Sequence, residues 1–231
     1  MKTVAIMQPT YIPWIGHFNL IQLADYFVFL DTVKLEKSSW QIRNKILNNG
    51  EPKYLTIPVL GSRNQLINEV KINENVNWRK KHLKSIVQNY SKHPYYRWML
   101  DIIHPVIENL SLTKLFDFNV ALIRNITYEL KINCKFFNSS DFATSGQKSL
   151  RLIEICNNLS ADLYYSPIGS KEYIEAEGLF KANAIEVVYQ KINLKPYPQF
   201  HSNEFISHLS IIDIMANVGF DGTSTYLSRL I

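Results

Sequence analysis

VAIMQPTYIPWIGHFNLIQLADYFVFLD, residues 4–31, decides the fold class. Val4-Ala5-Ile6-Met7 is a short apolar run stopped by Gln8-Pro9, and it reads as a buried strand. From Pro9 to Gly16 the chain is a loop, with Pro9 and Pro13 restricting its backbone. Phe18, Leu20, Ile21, Leu23 and Ala24 then give a helical face, and Tyr26-Phe27-Val28-Phe29-Leu30 gives a second strand ending at Asp31. A strand, helix and strand in so short a stretch close right-handed, with the two strands parallel.

The same pattern continues outward. Lys34 to Asn44 is polar, and Lys45-Ile46-Leu47 leads into a turn signal at Asn48-Asn49-Gly50. Tyr54 to Val59 reads as a strand, with Pro58 placing it at an edge or an end. Gly61 to Asn64 is a loop, and Ile67, Val70 and Ile72 suggest a short strand. Three helices are expected over 77–90, 95–110 and 115–130, the second ended or kinked by Pro105. Strands are expected again over 132–137, 163–166 and 185–189, with a helix over 149–159 between the first two. A last helix runs from Leu209 to Val218, with Gly219 as its cap. Alternating strands and helices predict a single α/β domain over residues 1–231: a mainly parallel sheet with flanking helices and a helical insertion or subdomain near 77–130.

Composition excludes several classes. At 231 residues, 46% hydrophobic and 19% charged, the chain can bury a core and is not disordered. No apolar run reaches the roughly 18–20 residues of a membrane span, and the first residues do not read as a signal peptide. Two cysteines, Cys134 and Cys156, make neither a disulfide framework nor a zinc site, so a cytoplasmic protein without membrane insertion is expected. The net charge of +5 fits a mildly basic surface or attraction to phosphate-bearing ligands. The densest cationic cluster, Arg79-Lys80-Lys81 with Lys84, reads as one helix face, and no nucleic-acid-binding motif accompanies it. No nucleic-acid partner is expected.

The first loop carries the most chemistry, because ligands of open α/β sheets sit at the carboxyl ends of the strands. It holds Gln8, Tyr11, Trp14 and His17. Gly16-His17 falls at a helix start, where unpaired N–H groups favour an anion; the alternative is that His17 is a polar helix-start residue and Trp14 is core. Asp31 could hold a hydroxyl or a metal, or serve as a simple turn carboxylate. Trp40-Gln41-Ile42-Arg43-Asn44-Lys45 brings stacking, amide and cationic groups together. Tyr165, Tyr173 and Gln199 follow later strands and would face the same cleft. Asp213 reads as a surface or helix-start carboxylate. The loop Thr144–Ser149 lacks the first glycine of a phosphate loop, and no G-x-S-x-G, GxGxxG or HExxH is present. His201 and His208 do not have the spacing of a metal site, and no metal or cofactor is assigned.

Two resemblances add to this reading. Trp14-Ile15-Gly16-His17 is faintly similar to the HIGH signature of nucleotidylyltransferases, without its first histidine. More broadly, the chain resembles the WbqC-like protein family. The residues that carry this are Gln8 to Phe18, Ala24 to Asp31, Trp40 to Lys45, Leu55 to Val59, Ser149 to Leu152, Tyr164-Tyr165-Ser166 with Gly169 and Tyr173, and Leu209 to Asp213 with Asn217 and Gly219. That resemblance implies bacterial surface-polysaccharide (O-antigen) biosynthesis and a transferase acting on a nucleotide-linked (amino) sugar by acylation or aminoacylation of its amine. His17 or Asp31 would be the general base. Gly16 and Arg43 would lie near the phosphates, and Tyr11, Trp14 and Trp40 would stack on base or sugar, with Gln8, Asn44 and Lys45 as further contacts. The alternatives are a nucleotidylyltransferase-like enzyme and a non-catalytic binding module, and the expected partners include a second copy of the chain in a homodimer.

Overall fold

The computed structural model describes residues 1–36, 38–61, 64–200 and 202–230. Among them the elements run β1 (Thr3–Met7), α1 (Ile15–Gln22), β2 (Tyr26–Phe29), β3 (Arg43–Asn48), β4 (Glu51–Thr56), β5 (Val59–Leu60), β6 (Lys71–Ile72), α2 (Trp78–Tyr90), α3 (Tyr96–Ile107), α4 (Leu115–Glu129), β7 (Lys135–Asn138), α5 (Ser149–Asn158), β8 (Leu163–Ser166), α6 (Lys171–Glu177), α7 (Leu179–Ala182), β9 (Glu186–Tyr189) and α8 (Ile211–Ser228). Five strands form one all-parallel sheet in the order β7-β2-β1-β8-β9. The fold is the expected α/β class. Ser62 and Arg63, inside the loop expected over Gly61–Asn64, and His201 lie outside the described residues.

Side chains alternate across the sheet as a pleat requires. Ala5, Phe27 and Phe29 enter a large core shared with α1, α2, α3, α4 and α8. Val4, Ile6 and Val28 enter a smaller one under α5, α6 and α7. The helices of the insertion therefore bury their apolar faces in the same continuous core as the sheet. From β1 the chain moves to one side through β2 and β7, then crosses to the other side for β8 and β9. The order reverses beside β1, and such a switch point opens a crevice at the carboxyl ends of the strands.

Two local expectations are corrected, and a third is extended. Asn49 (φ 50°) and Gly50 (φ 83°) close a tight hairpin whose first strand is Arg43–Asn48, residues read from sequence as a polar stretch leading to the turn. Ile67–Glu69 is a 3₁₀ turn, and only Lys71–Ile72 pairs as a strand. The helix expected up to Val218 does stop at Gly219, which is non-helical at φ 68°, ψ −164°; a second helical segment follows across this kink and runs to Ser228. That conformation is open to glycine almost alone. A Cβ built there would lie 2.5 Å from the Tyr95 ring. Gly219→Ala is expected to cost roughly 2–3 kcal/mol, lowering the melting temperature by about 4–12 °C. A shift within about 1 °C in a thermal melt would refute it.

Candidate functional site

The loop after β1 is tied down from three sides. The Asn44 side chain on β3 donates to the carbonyls of Tyr11 (3.1 Å) and Ile12 (2.8 Å), and the Tyr11 N–H donates to the Trp40 carbonyl (2.9 Å). From α4, Asn119 donates to the Gln41 carbonyl (2.7 Å), while the Gln41 amide donates to Gln8 Oε1 (3.1 Å). From α8, the Ile211 N–H donates to the Pro13 carbonyl (2.9 Å), and Trp14 bridges to Ser210. The Tyr11 hydroxyl shares a 2.8 Å hydrogen bond with Nδ1 of His82 on α2, and the His82 ring also bonds the Thr56 carbonyl of β4. With so many partners the loop is set by side chains distant in sequence.

A cavity of about 230 Å³ opens at the end of β1, lined by Met7, Thr10, Trp14, Trp40, Asn44 and His208. The indole of Trp14 stacks on the imidazole of His208, with centroids 4.9 Å apart and planes 27° apart. Trp40 is 47% exposed and lies 6.1 Å from the ring of Tyr54 on β4. Two cations flank it: Lys45 Nζ is 5.6 Å from the Trp40 centroid, and the Arg43 guanidinium is 4.5 Å from that of Tyr54. Arg43 and Lys45 are two residues apart on β3 and so share one face of the hairpin. A flat, mainly apolar hollow with cations just outside it suits a ligand that joins a ring to an anion.

The structure brings only part of the expected set to this hollow. Trp14, Trp40 and Asn44 line it; Lys45 lies over the Trp40 ring, and Arg43 lies over Tyr54, one ring farther out. Tyr11 instead packs in the core against His82 and Phe118, and burial pushes its hydroxyl pKa well up. Gly16 is covered: the Trp14 indole lies 2.3 Å from where a Cβ would stand, so the start of α1 has no room for a phosphate. His17 is fully buried beside Phe27 and Phe18, and neither ring nitrogen has a hydrogen-bond partner among the described residues. Desolvation pushes its pKa down to about 3. It is a neutral core imidazole, and that placement replaces the expected anion contact.

Asp31 is also spent. It accepts from the Ser139 hydroxyl (2.6 Å), the Ser140 N–H (2.9 Å) and the Asn68 amide (3.2 Å), clamping the end of β2 to the turn after β7. Gln8 is engaged with Gln41, Tyr165 packs against the large core from β8, and Tyr173 is exposed on α6. Gln199 donates to Asp213 (3.0 Å) and to the Ile206 carbonyl (2.9 Å) and lines a separate hollow with Tyr197. Asp213 itself is not on the surface. It is fully buried and accepts from Tyr90 (3.1 Å), Tyr197 (2.8 Å) and Gln199, and desolvation holds its carboxyl above the usual range. Arg79 is likewise buried and not part of the lysine face.

His208 is the functional candidate that the sequence reading missed. Its Nδ1 is paired with the Ser207 hydroxyl (2.8 Å), and its backbone is left-handed at φ 58°. It sits in an irregular segment far from the first loop, so no local pattern marks it. Among the described lining residues it is the one imidazole. No group of three or more potential metal ligands comes together among the described residues, and among them no helix is long and apolar enough to cross a membrane.

Comparison with known proteins adds context. The sequence profile described as the WbqC-like protein family matches residues 8–225. An uncharacterized protein of Mycobacterium tuberculosis, Rv1507c, is 31% identical over 222 residues, covering 95% of each chain. No solved structure matches the chain.

Proposed function

We propose that this chain, which belongs to the WbqC-like protein family, binds a nucleotide-linked sugar in the cavity between Trp14 and Trp40 and acts as a transferase on it during surface-polysaccharide assembly. One observation carries the reading: a hollow walled by aromatic rings at the switch point of a parallel sheet, with Lys45 over the Trp40 wall and Arg43 over the neighbouring Tyr54. Aromatic faces take a base or sugar ring, and the cations take the phosphates. Polysaccharide assembly and sugar-amine acylation come from the family context and stand as the working hypothesis.

A non-catalytic binding module shares the cavity and predicts binding without turnover. The burial of both His17 and Asp31, the two expected general bases, favours that second reading. The nucleotidylyltransferase reading gains no such support, because the imidazole of Trp14-Ile15-Gly16-His17 faces the core.

Calorimetric titration with a panel of nucleotide-linked sugars tests the proposal. At least one is expected to bind at micromolar Kd, weakened tenfold or more by Trp40→Ala, which removes an exposed ring at little cost to the fold. Absence of binding across the panel would overturn the proposal. Product analysis on the ligand that binds separates transferase from binding module.

A further inference from the structure

The geometry points to the nucleoside end of the ligand, and not the sugar, as the part the cavity encloses. This rests on the nucleotide-linked-sugar reading and deepens it. At about 230 Å³ the hollow is smaller than the roughly 300–1,000 Å³ clefts that swallow drug-sized molecules. A nucleotide-linked sugar therefore cannot be enclosed whole. One ring-bearing end goes in, and the rest lies across the rim.

Hydrogen-bonding supply decides which end. Of the described side chains lining the hollow, only Thr10, Asn44 and His208 are polar beyond the two indoles. Asn44 spends both amide hydrogens on the carbonyls of Tyr11 and Ile12, and its oxygen accepts the Lys45 N–H (2.8 Å). His208 has one ring nitrogen committed to Ser207. A buried sugar ring carries several hydroxyls, and each one left without a partner weakens binding. A nucleobase has two apolar faces and a few edge groups, which one hydroxyl and one imidazole nitrogen can answer.

Wall shape and charge agree. Trp14, backed by the stacked His208 ring, and Trp40 give the hollow aromatic walls on which a planar base can stack. Lys45 lies over Trp40, itself a wall of the hollow, and Arg43 follows on the same strand face. A diphosphate leaving an enclosed nucleoside would meet these cations first, and the sugar would lie beyond them. The protein then recognises the nucleotide carrier, and the nucleoside diphosphate competes with its own sugar conjugate.

Competition calorimetry on the full chain tests this with ADP, GDP, UDP and dTDP, their N-acetylhexosamine conjugates, the free nucleosides and N-acetylglucosamine 1-phosphate. For the conjugate that binds, the matching diphosphate is expected within tenfold of its Kd, and the sugar phosphate at least a hundredfold weaker. Trp40→Ala is expected to weaken nucleoside and diphosphate alike by tenfold or more, with Trp40→Phe restoring most of it. Lys45→Ala should weaken the diphosphate several-fold and leave the nucleoside unchanged. If a conjugate binds and the sugar phosphate competes while the diphosphate does not, the inference is overturned and the functional reading stands. If no conjugate binds, both fall.

Discussion

Lowering the pH from 7 to 4 is expected to remove roughly 6 kcal/mol of stability, the larger part of what an ordinary domain possesses. The cause is two buried imidazoles. Desolvation pushes His17 down to about 3, and His82 down to about 4 against a raising hydrogen bond to the Thr56 carbonyl. In the unfolded chain both would titrate near 6.5. Their folded pKa values are depressed, so their contribution is complete above about pH 6.5 and is lost as the unfolded chain takes up protons that the folded one refuses. Each adds a slope of roughly 1.4 kcal/mol per pH unit between that value and its folded pKa. Asp213 acts in the opposite sense: its raised pKa makes its contribution grow on acidification, a partial offset. Denaturant titrations at pH 7, 6, 5 and 4 read the slope directly. His17→Leu is expected to leave pH 7 stability nearly unchanged and to halve the acid loss. A flat profile, or an unaltered slope in the variant, would refute the assignment. His82 also holds Tyr11 to the hairpin, so ligand binding should fail over the same pH range as the fold loosens around it.

The second large effect is at Arg79. Its guanidinium makes a 2.7 Å ion pair with Glu74 and donates to the carbonyls of Ile107 (2.7 Å), Asn109 (3.1 Å) and Leu112 (2.8 Å), closing the C-terminal end of α3. Its faces lie against Trp78 and Phe118, which back the His82–Tyr11 contact. Arg79→Met removes every donor and leaves a carboxylate and three carbonyls without their partner. The expected cost is about 3–5 kcal/mol, a drop of about 6–20 °C in melting temperature. Arg79→Lys should recover little, because a point charge cannot reproduce the fork. A drop below about 3 °C in Arg79→Met would show that the carbonyls find other donors.

His17, His82 and Arg79 also show what a sequence can and cannot tell. The sheet was legible because Val4–Met7, Tyr26–Leu30 and Leu163–Ser166 are dense apolar runs with turn residues at their ends. β3 was not, because Arg43-Asn44-Lys45 alternates between a half-buried face and a buried amide, and a polar residue gives no warning that its hydrogen bonds are met inside. α1 is buried on all sides, so His17 and Asn19 lie in the interior despite their polarity. The same reasoning applies to Arg79 and Asp213. α6 and α7 are too short to show a helical period. Trp14 and Trp40 could be picked out as aromatic residues in a strand-end loop. His208 could not, since its relation to Trp14 exists only once α8 is docked.

The hollow takes its walls from Met7, Trp40 and His208, which are spread over nearly the whole chain. A polypeptide still emerging from the ribosome with only its first 190 residues free has the sheet but no Trp14–His208 wall. Under the proposed reading, a ligand is held against that wall only after α8 has docked, because the Trp14–Ser210 bridge and His208 both lie at its start.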